Sequence, residues 1–125
     1  MAALTSLKHP LKFVTVSAYY EHSIGTYLVL RGSRMREDER FEWDGNKSAR
    51  NARKHGISFE EACRVCDDPF MYRVMVAKEP EARWLCVGRV GRSEYVSVVI
   101  TYRGECIRII SARTATKREV QAYYG

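Results

Sequence analysis

The 125-residue sequence predicts an α+β domain: an antiparallel sheet of about four strands, preceded by two helices and followed by one. Three observations predict it. Two segments with clear helix starts and stops lie between Asp44 and Asp68. Runs rich in β-branched and aromatic residues, broken by Gly, Pro and charged clusters, fill residues 70–112. A further capping-box pattern opens at Thr116.

The elements follow in order. Phe41-Glu42-Trp43 reads as a short first strand. Asp44 stands where a helix cap belongs, and the segment Lys47–His55 has no Gly or Pro until Gly56, the usual left-handed stop. Lys47, Asn51 and Lys54 are spaced so as to share one face of that helix. Ser58-Phe59-Glu60-Glu61 has capping-box spacing and opens a second helix to about Cys66, ended by Asp67-Asp68-Pro69. Strands are expected at Phe70–Ala77, Arg83–Val90, Ser93–Tyr102 and Cys106–Ala112. The last two are joined by a hairpin turn at Arg103-Gly104-Glu105. Thr116-Lys117-Arg118-Glu119 begins a last helix through Tyr124.

Size and composition set the bounds. A chain of this length builds one core without disulfides, and 46% hydrophobic with 29% charged residues is ordinary for a globular domain. The net charge of +6 admits RNA, DNA or an acidic protein as partner. Lys8, Lys12, Arg31 and Arg34 against Glu21 give residues 1–34 a charge of +3, so the remainder is only mildly basic. Residues 1–34 read as an N-terminal extension: a start assigned upstream of Met35, a disordered arm or, if native, an added strand, with a candidate strand at Thr26–Leu30. Residues 35–125 read as the domain. No run approaches the roughly 20 apolar residues of a membrane span, and residues 1–34 make a poor secretory signal. Cys63, Cys66, Cys86 and Cys106 lack the partners of a zinc quartet and are expected as core filler in a reducing cytoplasm.

Arginines on strands are the most chemical feature. Arg108 is the one charge within a strong strand, on the face expected to hold Cys106, Ile110 and Ala112, while Ile107, Ile109 and Ser111 take the other. Arg113 ends that strand, Arg103 sits in the turn before it, and Arg83 and Arg89 punctuate a neighbouring strand. Guanidiniums on adjoining strands suit a phosphate, since each donates in a planar fork. The plain alternative is an outward arginine face, with Arg108 paired to Glu81 or Glu119. His55 suits proton transfer near neutral pH, or is simply a favourable charge at a helix end. No P-loop, Rossmann fingerprint or metalloprotease helix is present, and the carboxylates are too scattered for a Mg²⁺ cluster. A nuclease with this sequence is expected to need no metal and no cofactor.

Taken together, the motifs resemble the BrnT toxin family of type II BrnT/BrnA toxin–antitoxin systems. The resemblance rests on Phe41-Glu42-Trp43-Asp44, Lys47, Asn51 and Lys54-His55-Gly56-Ile57-Ser58-Phe59-Glu60-Glu61-Ala62. It continues through Asp67-Asp68-Pro69, Glu81-Ala82-Arg83-Trp84 and Val87-Gly88-Arg89. It closes with Tyr102-Arg103-Gly104, Ile107-Arg108-Ile109-Ile110-Ser111-Ala112-Arg113 and Ala115-Thr116-Lys117-Arg118-Glu119. It implies a RelE-like fold and a cytoplasmic endoribonuclease that halts translation. It also implies neutralisation by a BrnA-like antitoxin and contact with operator DNA only through that antitoxin.

Carried over residue by residue, the resemblance implies catalytic roles for His55, Glu81, Arg83, Arg108 and Arg113. Lys47, Lys54 and Arg103 would bind RNA, and Glu119 and Trp84 would be secondary or structural. Arg83, Arg108 and Arg113 would hold the phosphate, with His55 or Glu81 as the proton-transfer group. The sequence departs from the family in Pro69–Pro80, which lacks an acidic turn, and in residues 1–34, which if native would add a strand or contact the antitoxin. The competing functions are a catalytically inactive antitoxin-binding or co-repressor scaffold, and a plain interaction domain with a basic face. Direct DNA reading is disfavoured because the second helix begins Phe59-Glu60-Glu61, which repels phosphate.

Overall fold

The computed structural model describes residues 12–20, 23–31 and 40–125. Met35 and the charged run that follows it to Glu39 lie outside the described residues. Among the described residues, seven strands form one sheet in the order β1-β2-β4-β5-β6-β7-β3. They are β1 (Lys12–Tyr20), β2 (Ser23–Arg31), β3 (Arg40–Glu42), β4 (Tyr72–Ala77), β5 (Arg83–Val90), β6 (Glu94–Arg103) and β7 (Cys106–Thr114). The α+β class holds, but the strand count corrects the expected four. The short β3 joins the four-strand meander as a fifth strand, lying parallel to β7. Strands β1 and β2 form an antiparallel pair that extends the sheet past β4, and β2 spans the expected strand at Thr26–Leu30.

Helix α1 (Gly45–His55) starts where its cap was expected. The Asp44 carboxylate accepts the backbone N–H groups of Asn46 and Lys47, and those bonds hold its pKa below the usual range. Gly56 ends the helix at φ +73°, a conformation that side-chain-bearing residues seldom adopt. Only Ser48 of α1 is buried, so packing alone holds this helix weakly. Asn51 supplies the tie. Its amide donates to the Ala112 carbonyl (2.8 Å) and the Ile57 carbonyl (2.9 Å), and its oxygen accepts the Ala112 N–H (3.3 Å). Past Arg108, β7 has no further pairing with β3. Asn51 thereby covers backbone groups that an edge strand would leave open.

The second helix is shorter than its pattern suggested. Helix α2 covers Phe59–Ala62 and tightens into a 3₁₀ turn over Cys63–Asp67. The reason lies in β5. A Cβ on Gly88 would come within 3.0 Å of Val65 Cγ1 and 3.2 Å of the Val65 carbonyl, so the turn rests on a bare strand position. Asp68 locks this arrangement, accepting from the backbone N–H groups of Phe70 and Arg89 and from the Tyr123 hydroxyl. The last helix, α3 (Lys117–Tyr124), has the expected capping box between Thr116 and Glu119.

The two sheet faces are covered differently. On one face α2 and the 3₁₀ turn bury Phe59, Ala62, Val65 and Cys66 against Trp84, Cys86, Val98, Ile100, Ile107, Ile109 and Ala112. On the other, α3 packs Ala122 and Tyr123 onto Tyr72, Val74, Leu85 and Val87. A bulge at Ile110 corrects the expected faces of β7. Ile109 pairs with Ile100 and Ser111 with Val99, so one extra residue is accommodated between them. Ala112 therefore joins Ile107 and Ile109 in the core, and Ser111 and Arg113 move to the face of Arg108. Burial holds the Cys66 and Cys86 thiols protonated, pushing Cys86 to about 12 against the pull of Arg73, and burial with Asp67 raises Cys63 to about 11. All four cysteines are free thiols, but Cys63 and Cys106 are only partly buried.

Candidate active site

Cross-strand register builds the site. Arg83 on β5 pairs with Thr101 on β6, Thr101 with Arg108 on β7, and Arg108 with Glu42 on β3. Residues directly opposite one another share a face, so these four side chains form one rung across four strands. Arg103 and Cys106 form the next rung outward, continued by Arg40 on β3. Neighbouring strands lie about 4.8 Å apart, so the backbones of Arg83 and Arg108 stand roughly 10 Å apart across Thr101. Thr101, between them, is 1% exposed.

Carboxylates hold the guanidiniums in place. Glu81 Oε1 lies 3.4 Å from Arg83 and 3.8 Å from Arg103, and Glu42 Oε2 lies 3.6 Å from Arg108. The pairing expected of Arg108 with Glu81 or Glu119 is therefore replaced by one with Glu42. Thr101 donates its hydroxyl to the Ala82 carbonyl (2.7 Å), anchoring the segment that carries Glu81 onto β6. These ion pairs are half-exposed: the Arg83 and Arg103 side chains are 42% and 51% exposed, and Arg108 is 24% exposed. Exposed pairs of this length hold weakly, so a polyanion can displace them at small cost.

The remaining expected residues lie elsewhere. Arg113 shares the face but forms a two-pronged pair with Glu119 at 2.7 and 2.9 Å. Glu119 is buried and also accepts from the Ser97 hydroxyl (2.7 Å) and the Thr116 N–H (2.9 Å). Burial alone would raise the Glu119 pKa, but the bonds from Arg113, Thr116 and Ser97 outweigh it and hold the group below its ordinary 4.5. This network fastens α3 to β6 and β7. Trp84 is buried in the core, with the Arg73 guanidinium 5.7 Å from its ring centre.

His55 and Lys54 sit exposed at the end of α1. His55 lines a cavity of about 410 Å³ with Glu94, Val96, Thr114 and Val120. Thr114 is six positions along β7 from Arg108, roughly 20 Å at strand rise, so His55 does not join the Arg83–Arg108 rung. Lys47, exposed in the first turn of α1, stands five residues after Glu42, the last residue of β3. A second cavity, of about 560 Å³, lies between Arg64, Phe70, Arg89 and Tyr123, also toward the far end of β5. The guanidinium cluster lies instead across β5, β6 and β7, with the Arg83 and Arg103 side chains partly exposed around the buried Thr101.

Glu42, Arg40 and Arg73 were missed as site or core charges. Register with Arg108 would have flagged Glu42 and Arg40 once β3 was recognised as β7's parallel neighbour. Arg73 reads as an ordinary strand charge, yet it is 2% exposed and donates to the Tyr102 hydroxyl. Among the described residues no group of three His, Cys, Asp or Glu side chains is placed to hold a metal ion, and no helix is long and apolar enough to cross a membrane.

The site is a set of arginines paired with carboxylates on a small basic α+β domain. Residues 43–119 match the family described as the ribonuclease toxin, BrnT, of the type II toxin–antitoxin system, and the chain belongs to that family. No curated protein matches the chain. Family membership implies a toxin with RNA as its substrate and a protein antitoxin as its partner.

Proposed function

We propose that this protein is a metal-independent endoribonuclease that cleaves RNA on the face formed by β5, β6 and β7, and so inhibits translation in the cytoplasm. The observation that carries this reading is the rung Arg83–Thr101–Arg108, with Arg103 one step outward. RNA cleavage through its own 2′-hydroxyl passes through a pentacoordinate phosphorane carrying extra negative charge. Three guanidiniums gathered at that phosphate stabilise this charge more than they stabilise the ground-state diester.

Glu81 holds Arg83 and Arg103 in place and serves as the proton-transfer group within the cluster, a role that His55 is too distant to share. Arg113 acts through Glu119 by holding α3 against the sheet. Lys47 and Lys54, both exposed on α1, offer charge to more distant parts of the RNA backbone. A BrnA-like antitoxin silences the toxin and carries any contact with operator DNA. The inactive co-repressor scaffold is the competing reading, and it differs in predicting no RNA cleavage by the folded protein.

Induction in a bacterial host tests the reading. Wild type should arrest growth and translation, and co-expression of a BrnA-like antitoxin should restore both. Growth unaffected by induction, at full expression of folded protein, would establish the scaffold instead.

A further inference from the structure

We propose that Glu42 is a catalytic residue, the base that takes the proton of the attacking 2′-hydroxyl. This inference rests on the ribonuclease reading above. Cleavage moves two protons, one from the 2′-hydroxyl and one to the leaving 5′-oxygen. Of the proton-transfer groups expected from sequence, His55 lies at the wrong end of the sheet and only Glu81 belongs to the cluster.

The register supplies the missing group. Glu42 closes the rung on the side opposite Arg83, beside Arg108, and points its Oε2 toward that guanidinium at 3.6 Å. The two carboxylates thus stand at opposite ends of one row of cations. Glu81 contacts two guanidiniums while Glu42 contacts one, and the Glu42 side chain is 39% exposed. With Glu81 at 32% exposed, the two carboxylates differ little in exposure, and Glu42 is the freer because it is tied to a single guanidinium.

The step balances. The 2′-oxygen forms a bond to phosphorus as its proton passes to Glu42, and the bond from phosphorus to the 5′-oxygen breaks. The leaving oxygen takes a proton from a water oriented by Glu81. Glu42 then returns its proton to the hydroxide so formed, leaving a 2′,3′-cyclic phosphate, a free 5′-hydroxyl and no net change in acid or base. The alternative is that Glu42 merely props Arg108, in which case an amide at this position would serve.

The test compares purified wild type with Glu42→Gln, Glu42→Ala and Arg83→Ala/Arg108→Ala on a mixed-sequence RNA, with binding read on a 2′-O-methyl RNA that cannot be cleaved. Glu42→Gln should lose about 100-fold or more in kcat. It should bind the 2′-O-methyl RNA as wild type does and unfold at the same temperature. Added formate should restore part of the activity of Glu42→Ala. If Glu42→Gln keeps more than a tenth of kcat, if its binding falls with its activity, or if formate restores nothing, Glu42 is not the base. Those results beside an inactive arginine double variant overturn this inference alone. Full activity in the arginine double variant overturns the ribonuclease site itself.

Discussion

Single residues divide sharply into those that hold the fold and those offered to a ligand. Glu119 belongs to the first group although it resembles a site residue in sequence. Its pKa is depressed in the folded state, so its stabilising contribution is complete above the ordinary value of 4.5 and is lost as pH falls through the lower folded value. Unfolding midpoints measured against pH should therefore drop below about pH 4.5, and Glu119→Gln should flatten that acid limb. The same substitution leaves Arg113 without its anion and should cost about 2 kcal/mol near neutral pH, discounted because Arg113 is partly exposed. Gly88 is a second structural position. Gly88→Ala drives a methyl into Val65 and should cost about 1–3 kcal/mol by denaturant titration, with no direct effect on the arginine rung.

Elements show how local patterning and tertiary pairing shared the work. The caps at Asp44, Ser58 and Thr116 and the stop at Gly56 were legible because they depend on chain neighbours alone. The bulge at Ile110 was not, because two-residue alternation across Cys106–Thr114 contains no sign of an inserted residue. It decided the site's composition, since without it Arg113 would face the core that Ala112 occupies. The parallel β3–β7 pairing was equally hidden, and with it Glu42. Helix α1 read as a polar helix with little to pack, and Asn51 explains how it docks. Asn51→Ala should cost about 2–3 kcal/mol in chemical unfolding, because three hydrogen bonds go and β7 backbone groups are left uncovered. A loss below about 0.5 kcal/mol would show that α1 docks by other means.

At the scale of the whole molecule, the sheet separates its two duties by face. One face is covered by α2 and the 3₁₀ turn, and the other carries α3 and the gathered Arg83, Arg103 and Arg108 around the buried Thr101. The α+β class and the strand arginines were readable from composition and periodicity, and the arginines' convergence needed the register. Charge and residue type in the sequence do not separate His55 and Lys54 from Arg83, and only the fold shows that they lie apart from the arginine rung. The central claim is that the guanidinium rung cleaves RNA without a metal ion. Its most direct test is cleavage of RNA by purified protein in excess EDTA, wild type against Arg83→Ala/Arg108→Ala. The account predicts products ending in 2′,3′-cyclic phosphate from wild type, and a loss of about 100-fold or more in the folded double variant. Equal cleavage by both proteins, or none by wild type until Mg²⁺ is restored, would contradict it.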